Sequence, residues 1–166
     1  MAIFIPGMRC AISGRSIEAA SDAVVFPPFV ANEADPIYVF NDAVVHADEF
    51  RAHYLSADAQ TRLEEARRRT APDNRRCFVC GRPILEPEDY IGVGHLVSDQ
   101  SHSLFGFNYA HFHRSCLAAW RGLPGLVADL EKLDQSGAWK GDGLKRIISS
   151  VRPALGRSEP LFGGSN

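Results

Sequence analysis

The chain has 166 residues, enough for one domain or two small ones. Its 45% hydrophobic and 23% charged residues are ordinary for a globular protein, and its net charge of −2 argues against a dedicated nucleic-acid-binding protein, which normally carries a basic excess. No stretch approaches the roughly 20 apolar residues of a membrane span. The first seven residues lack a basic region, so we expect no signal peptide and a cytoplasmic location.

Residues 1–55 are predicted to form a region of short strands that ends in a helix. Residues 23–26 and 37–40 are apolar and β-prone, and the Pro and Asn residues between them predict a hairpin with a long loop. From about Ala47 the apolar spacing becomes helical. The expected apolar face of that helix consists of Phe50, Tyr54 and Leu55.

Residues 56–69 predict a separate helix. Ser56 suits its N-cap, and the last turn is rich in arginine, where the helix dipole favours cations. The arginines are Arg67, Arg68 and Arg69. They are candidates for contacting a charged partner, and a solvated helix end is the simpler interpretation.

The C-terminal part is predicted to be helical. A helix follows Cys116, residues 122–125 break it, and an amphipathic helix then runs to Gly137. Asp142 can cap a last short helix. The expected apolar positions of the two later helices are Leu126, Val127, Leu130, Leu133, Leu144, Ile147, Ile148 and Val151. We expect residues 153–166 to form a flexible tail.

The sequence also repeats itself at an offset of 67 residues. Positions 9–52 share 12 identities with positions 76–119, whereas about three would be expected by chance. The identities include Cys10 with Cys77, Gly14 with Gly81 and Arg15 with Arg82, and His46 with His113. Because self-similarity at one offset indicates a duplicated unit, we predict two copies of one structural unit.

The second copy carries a pattern typical of a zinc site. Cys77 and Cys80 form C-x2-C, and His113 and Cys116 form H-x2-C after a gap of 32 residues. Three thiols and one imidazole are a ligand set of closed tetrahedral zinc sites. The four cysteines could instead form two disulfides in a secreted protein, but the paired motifs and the absence of an export signal favour a metal. His111 is an alternative to His113 as the fourth ligand.

The first copy lacks two of these ligands. Ser13 stands in place of Cys80, and Glu49 stands in place of Cys116. We therefore expect this copy to be free of metal and held by packing. A weaker second metal site could still use Cys10, His46 and Glu49.

The order of knuckle, hairpin and helix in the second copy resembles the treble-clef zinc fingers of the LIM and RING class. The resemblance rests on the Cys77-x2-Cys80-Gly81 and His113-x2-Cys116 motifs and is fainter in the first copy. It implies an α+β fold of two duplicated treble-clef-like units. We expect these units at residues 1–55 and 73–122. A helical linker at 56–72, C-terminal helices at 123–152 and a tail at 153–166 complete the chain.

Four protein ligands leave no position for water or substrate, which is the arrangement of a structural zinc. We therefore predict a protein-interaction or adaptor module without catalytic activity, one Zn²⁺ per chain, and a protein partner, as is usual for the class it resembles. Candidate contacts are Phe26 and Phe29 in the first copy, and the corresponding loop at residues 94–97 in the second.

Two alternatives belong to other classes. The order His95, Asn108 and His113-x2-Cys116 is similar to that of HNH-type (His-Me finger) nucleases, but Leu117 replaces the histidine that those enzymes place after the last knuckle cysteine. A RING-like component of a ubiquitin-type ligase would need about eight interleaved ligands for two zinc ions, which this chain does not offer.

Overall fold

The computed structural model describes residues 3–157 and shows an α+β architecture of short hairpins and helices. The chain divides into two compact units after Arg68. The division falls inside the helix that the sequence analysis treats as a linker. The C-terminal helices belong to unit 2, together with the predicted zinc motifs.

Unit 1 contains two antiparallel strand pairs. The elements are β1 (Met8–Arg9), β2 (Ser16–Ile17), β3 (Ala23–Val25), β4 (Val44–His46), α1 (Ala47–Ala52) and α2 (Ser56–Thr70), with 3₁₀ helices at Ala20–Asp22 and Pro36–Phe40. Strand β1 pairs with β2, and β3 pairs with β4. The rings of Phe26, Phe40 and Phe50 form the centre of its core, with centroids 5.0 to 5.5 Å apart.

The hairpin predicted from residues 23–26 and 37–40 forms with a different second strand. Residues 37–40 form part of a 3₁₀ helix, and β3 pairs with residues 44–46 instead. Asp35 explains the difference, because its Oδ1 accepts a hydrogen bond from the Ile37 N–H at 3.0 Å and Pro36 fixes the backbone at the helix start. Ile37 and Phe40, three positions apart, are both buried. Their apolar character therefore reflects one buried face of a helical turn and not a strand.

Unit 2 adds two long helices to the same kind of hairpin. Its elements are β5 (Tyr90–Gly92), β6 (His111–His113), α3 (Arg114–Ala119), α4 (Leu123–Gln135) and α5 (Gly143–Val151), with 3₁₀ helices at Pro72–Asn74, Pro87–Asp89, Phe105–Phe107 and Arg152–Arg157. Strand β5 pairs antiparallel with β6. The elements β5, β6 and α3 lie 67 residues after β3, β4 and α1.

Hydrogen bonds recur at the same offset. The Cys10 N–H donates to the Arg15 carbonyl at 2.8 Å, and the Cys77 N–H donates to the Arg82 carbonyl at 2.8 Å. The only two described non-glycine residues with positive φ occupy equivalent positions, Asp42 at 50° and Tyr109 at 58°. The backbone framework around Cys10 therefore recurs around Cys77.

An asparagine at equivalent positions holds the long loop in each unit. The Oδ1 atom of Asn41 accepts from the N–H groups of Phe29 and Val30, at 2.7 and 2.9 Å. In unit 2, Asn108 is 7% exposed and accepts from two successive backbone N–H groups of the equivalent loop. These N–H groups belong to Leu96 and Val97. The asparagine satisfies backbone groups that would otherwise be buried without partners.

The predicted C-terminal helices are confirmed, and they supply most of the core of unit 2. Their buried residues include Leu126, Val127, Leu130, Leu133, Leu144, Ile148 and Val151, with Ile147 partly buried. Helix α4 begins at Leu123, inside the predicted break, because Pro124 is tolerated in a first helical turn.

The prediction of a flexible tail from residue 153 is wrong for residues 153–157. Residues 153–157 continue the Arg152–Arg157 3₁₀ helix, and Ala154 is 8% exposed and packs into the core. Residues 158–166 lie outside the described chain. Within residues 3–157, no helix has the length and apolar character needed to cross a membrane.

We expect Asn108→Ala to lower the free energy of unfolding of unit 2 by about 3 kcal/mol, because two backbone N–H groups and the Val97 carbonyl lose their partner. Denaturant unfolding followed by tryptophan fluorescence measures this, since Trp120 and Trp139 both lie in unit 2. The exposed Gln100→Ala is the control. An unchanged midpoint in Asn108→Ala would contradict the loop-holding role.

Candidate metal centre

The first two candidate ligands lie on a tight turn. The Gly81 N–H donates to the Cys77 carbonyl at 2.8 Å, and Gly81 has φ of +71°, a left-handed conformation that glycine adopts without strain. The turn is also bonded to β6, because the Phe78 N–H donates to the His111 carbonyl at 2.7 Å. This backbone brings the sulfurs of Cys77 and Cys80 to the end of β6.

The other two candidate ligands lie where β6 joins α3. His113 is the last residue of β6, and Cys116 lies in the first turn of α3. The Nε2 atom of His113 is 3.1 Å from the Pro83 carbonyl oxygen. Because a carbonyl can only accept, Nε2 carries the proton, and the lone pair of Nδ1 faces the sulfurs.

The four donor atoms lie at distances that suit one tetrahedral ion. They are all within 4.8 Å of one another. The Nδ1 atom of His113 is 3.5 Å from the Cys80 sulfur and 3.8 Å from the Cys116 sulfur. A tetrahedral zinc with ordinary bond lengths would separate a nitrogen and a sulfur ligand by about 3.6 Å. The Cys3His group can therefore hold a metal ion, and its donor set favours zinc.

The three thiols have different pKa values. The Arg82 guanidinium lowers the pKa of Cys80 to about 6. Burial, together with the adjacent sulfurs of Cys80 and Cys77, raises the pKa of Cys116 to about 11. Burial also acts to raise the pKa of Cys77, but backbone hydrogen bonds, first that of His113, leave it below its ordinary value. Without a cation, the three sulfurs cannot all be ionised at neutral pH.

Arg82 is a site residue that the sequence analysis did not assign. Hydrogen bonds to the Cys80 and Cys116 sulfurs raise its pKa. Three thiolates and a divalent ion carry one excess negative charge, which this guanidinium can balance. The repeat contained the signal, because Arg82 is identical to Arg15 of the first copy.

The equivalent site in unit 1 is built differently. The Cys10 thiol donates to Glu49 Oε2 at 2.9 Å, and the Arg15 guanidinium forms an ion pair with Glu49 Oε1. The hydrogen bonds from Cys10 and then Arg15 lower the pKa of Glu49 to about 2. The buried Nε2 atom of His46 has no hydrogen-bond partner within the described chain. The Arg15–Glu49 ion pair thus occupies the position that the Cys116 sulfur has in unit 2.

The structure does not bring Cys10, His46 and Glu49 together as a group of potential metal ligands. Within residues 3–157, Cys77, Cys80, His113 and Cys116 are the one group of three or more potential ligands that converges on a point. Glu49 is already engaged by Cys10 and Arg15. Whether Cys10, His46 and Glu49 bind a metal in solution stays a prediction.

The candidate interaction residues separate into two groups. Phe26 is 2% exposed and lies at the centre of the unit 1 core, so the structure corrects its assignment to an exposed surface. Phe29 is half-buried and packs on the same core. Arg67 and Arg68 are exposed on α2, whereas Arg69 is half-buried and donates to the Asn108 carbonyl at 3.0 Å.

The remaining histidines have structural partners. His111 is 5% exposed, and its ring is bonded to the Arg69 carbonyl at 2.7 Å and to the Tyr90 hydroxyl at 3.1 Å. This excludes His111 as the alternative metal ligand in the observed conformation. The Nδ1 atom of His102 accepts from the Leu104 N–H, and the His95 ring lies 5.9 Å from that of Tyr109.

Comparisons with protein-family models, curated proteins and solved structures found no match to this chain. The interpretation of the site therefore rests on its own geometry and on the comparison between the two units.

The double substitution Ser13→Cys with Glu49→Cys is expected to raise the zinc content from one ion per chain to two. It gives unit 1 the ligand types of unit 2 on an equivalent backbone, with Arg15 where unit 2 has Arg82. Turning the His46 ring toward the new sulfurs would break no hydrogen bond of its Nε2 atom. Elemental analysis of the purified variant measures the content.

The matched control is Ser13→Ala with Glu49→Ala, which removes the same polar groups without adding sulfur and should retain one zinc. A folded double-cysteine variant with no additional zinc would contradict the equivalence of the two sites.

Proposed function

We propose that this protein is a zinc-stabilised protein-interaction module without catalytic activity of its own. One observation carries the proposal: the four donor atoms lie within 4.8 Å of one another, and the His113 Nδ1 atom is 3.5 and 3.8 Å from the Cys80 and Cys116 sulfurs, close to the separation in a tetrahedral zinc shell. Such a shell offers no position for water or substrate, as in structural zinc sites. The His113, Cys77, Cys80 and Cys116 side chains would hold Zn²⁺, which would supply folding energy.

The proposal includes a duplicated unit of the treble-clef type. The recurring strand pairs, helix starts and asparagine contacts support duplication. The knuckle turn, the β5–β6 hairpin and the ligand pair at the start of α3 support the treble-clef interpretation of unit 2. In unit 1 the contacts of Glu49 with Cys10 and Arg15 support a metal-free copy.

A structural role for the metal fits the size of the elements around it. The strands of the β5–β6 hairpin have three residues each, and α3 has six. Elements this short cannot be stable on their own, and a structural zinc can contribute about 10 kcal/mol or more. A reducing compartment such as the cytoplasm suits this chemistry, because all four cysteines are free.

The nuclease alternative would give His95 and Asn108 catalytic roles. Asn108 instead holds a loop, as Asn41 does in the unit that lacks the zinc ligands. A role shared by both copies is explained by folding alone. The RING-like alternative needs two interleaved ligand groups, and residues 3–157 gather one.

The surface that supports a protein partner surrounds the zinc knuckle. Phe78 and Val79, between the two cysteines, are 48% and 37% exposed. The Phe78 ring lies 5.1 Å from that of Phe107 and 5.8 Å from that of Trp120. We call Phe78, Val79, Phe107 and Trp120 the knuckle surface. Phe107 and Trp120 are half-buried against the core, so Phe78 and Val79 form the exposed part of this surface. Exposed apolar patches are typical of interaction sites, and unit 1 has only Ala11 in place of Phe78.

Cys80→Ser is expected to remove most of the bound zinc and to lower the melting temperature of unit 2, because serine is a poor zinc ligand. Elemental analysis and tryptophan fluorescence measure the two effects. Cys10→Ser, the same substitution at the equivalent knuckle of unit 1, should leave the zinc content unchanged. Unaltered zinc content and melting in Cys80→Ser would refute the proposed metal site.

Phe78→Ser combined with Val79→Ser is expected to retain zinc but abolish binding of the protein partner, because it removes the exposed apolar side chains of the knuckle surface. Chemical cross-linking in extracts, compared with wild type by mass spectrometry, measures the loss. Leu85→Ser, at a site 82% exposed outside that surface, is the control. Equal cross-linking of the same partner by wild type and the double variant would exclude the knuckle surface.

A further inference from the structure

Unit 2 contains a surface cleft that the zinc site does not use. Its volume is about 290 Å³, near the lower limit for sites that bind small molecules. Residues of β5, α3, α5 and the last 3₁₀ helix line it. They are Ile91, Arg114, Ser150, Pro153 and Ala154.

Arg114 gives the cleft a fixed positive charge. Its Nε–H donates to the Glu88 carbonyl at 2.8 Å, and its backbone N–H donates to Asp89 Oδ1 at 2.9 Å. The first bond orients the side chain, and the second holds the backbone at the start of α3. None of the four ion pairs within residues 3–157 involves Arg114, and its two terminal nitrogens have no hydrogen bond to a described residue. A held guanidinium with unused donors suits a planar anion.

The other residues that line the cleft restrict which chemical groups a ligand can have. Ile91, Pro153 and Ala154 present carbon atoms. The Ser150 hydroxyl donates to the Ile147 carbonyl at 2.7 Å, so its oxygen can still accept but its proton is already used. The cleft therefore combines donors on Arg114 and an acceptor on Ser150 with a smaller apolar surface, and its accessible lining is mainly polar.

We propose that this cleft binds a carboxylate that is attached to a small apolar group and a neighbouring N–H, as in an N-acylated amino acid or the C-terminal residue of a peptide. The carboxylate would pair with the terminal nitrogens of Arg114, the N–H would donate to Ser150 Oγ, and the apolar group would contact Ile91 and Ala154. A singly charged carboxylate fits better than a phosphate dianion, because Arg114 is the only cation among the described residues that line the cleft and the Asp89 carboxylate is bonded to its backbone N–H.

The inference rests on the proposed zinc-stabilised unit, because Arg114 directly follows the ligand His113 and begins α3. It extends the proposed function by assigning a chemical class to one binding partner. In unit 1 the position equivalent to Arg114 is Ala47, so this feature belongs to the second copy alone.

The test is a titration of zinc-loaded, ¹⁵N-labelled full-length protein with N-acetyl-L-alanine, followed by NMR, with the zinc content of the same sample measured by elemental analysis. Saturable shifts are expected for the amides of Ile91, Arg114, Ser150 and Ala154. The neutral N-acetyl-alaninamide should bind at least tenfold more weakly. Arg114→Gln should weaken binding of the acid at least tenfold, and the exposed Arg121→Gln should leave it unchanged.

A second arm distinguishes the two sources of the carboxylate. A heptapeptide ending in free alanine that binds at least tenfold more tightly than N-acetyl-alanine would support a peptide C-terminus, and equal affinity would support a small free acid. No saturable shift, equal binding of the amide, or stronger binding of inorganic phosphate would overturn the inference. If the sample contains one zinc per chain, any of these three results rejects the proposed cleft but leaves the proposed function standing. If the sample contains no zinc, the proposed function itself is rejected.

Discussion

Unit 2 brings three sulfurs and one imidazole nitrogen to within 4.8 Å of one another. Three thiolates this close together repel one another strongly. The Gly81 turn and the β6–α3 junction fix the backbone on both sides and so hold the two ligand pairs near each other. Arg82 can stabilise one thiolate, and the opposite pKa shifts of Cys80 and Cys116 show that it cannot stabilise all three. A divalent cation bound to the four side chains, as we propose, would offset this repulsion and would link the knuckle to helix α3.

Unit 1 resolves the same backbone constraint with different chemistry. Glu49 takes the position of Cys116, accepts a hydrogen bond from the Cys10 thiol and pairs with Arg15. A negative group at this position is thus retained, but its charge is balanced by a guanidinium instead of a metal. The half that keeps the ligands also carries the exposed knuckle surface and the Arg114 cleft, whereas unit 1 has Ala11 and Ala47 at the equivalent positions. Both features that we propose to bind partners therefore lie in unit 2.

The sequence predicted those parts of the structure that depend on residue type at fixed spacing. The gathered Cys3His group, helix α2 and the two amphipathic C-terminal helices follow from spacing and turn chemistry. The strand predicted for residues 37–40 was wrong, because an apolar run of four residues fits a strand and a buried helical turn equally well. Asp35 and Pro36 favour the helical turn. Arg82 and the Arg114 cleft could not be assigned from sequence, because each depends on which atoms the fold brings together.

The zinc content of the purified wild-type chain, determined by elemental analysis of protein never exposed to chelator, tests this account most directly. The account predicts one zinc per chain, held by Cys77, Cys80, His113 and Cys116. Two zinc ions would show that unit 1 binds metal and that the Arg15–Glu49 pair does not replace it. The absence of zinc would contradict the structural role of the site and leave the convergence of the three sulfurs without a counter-charge.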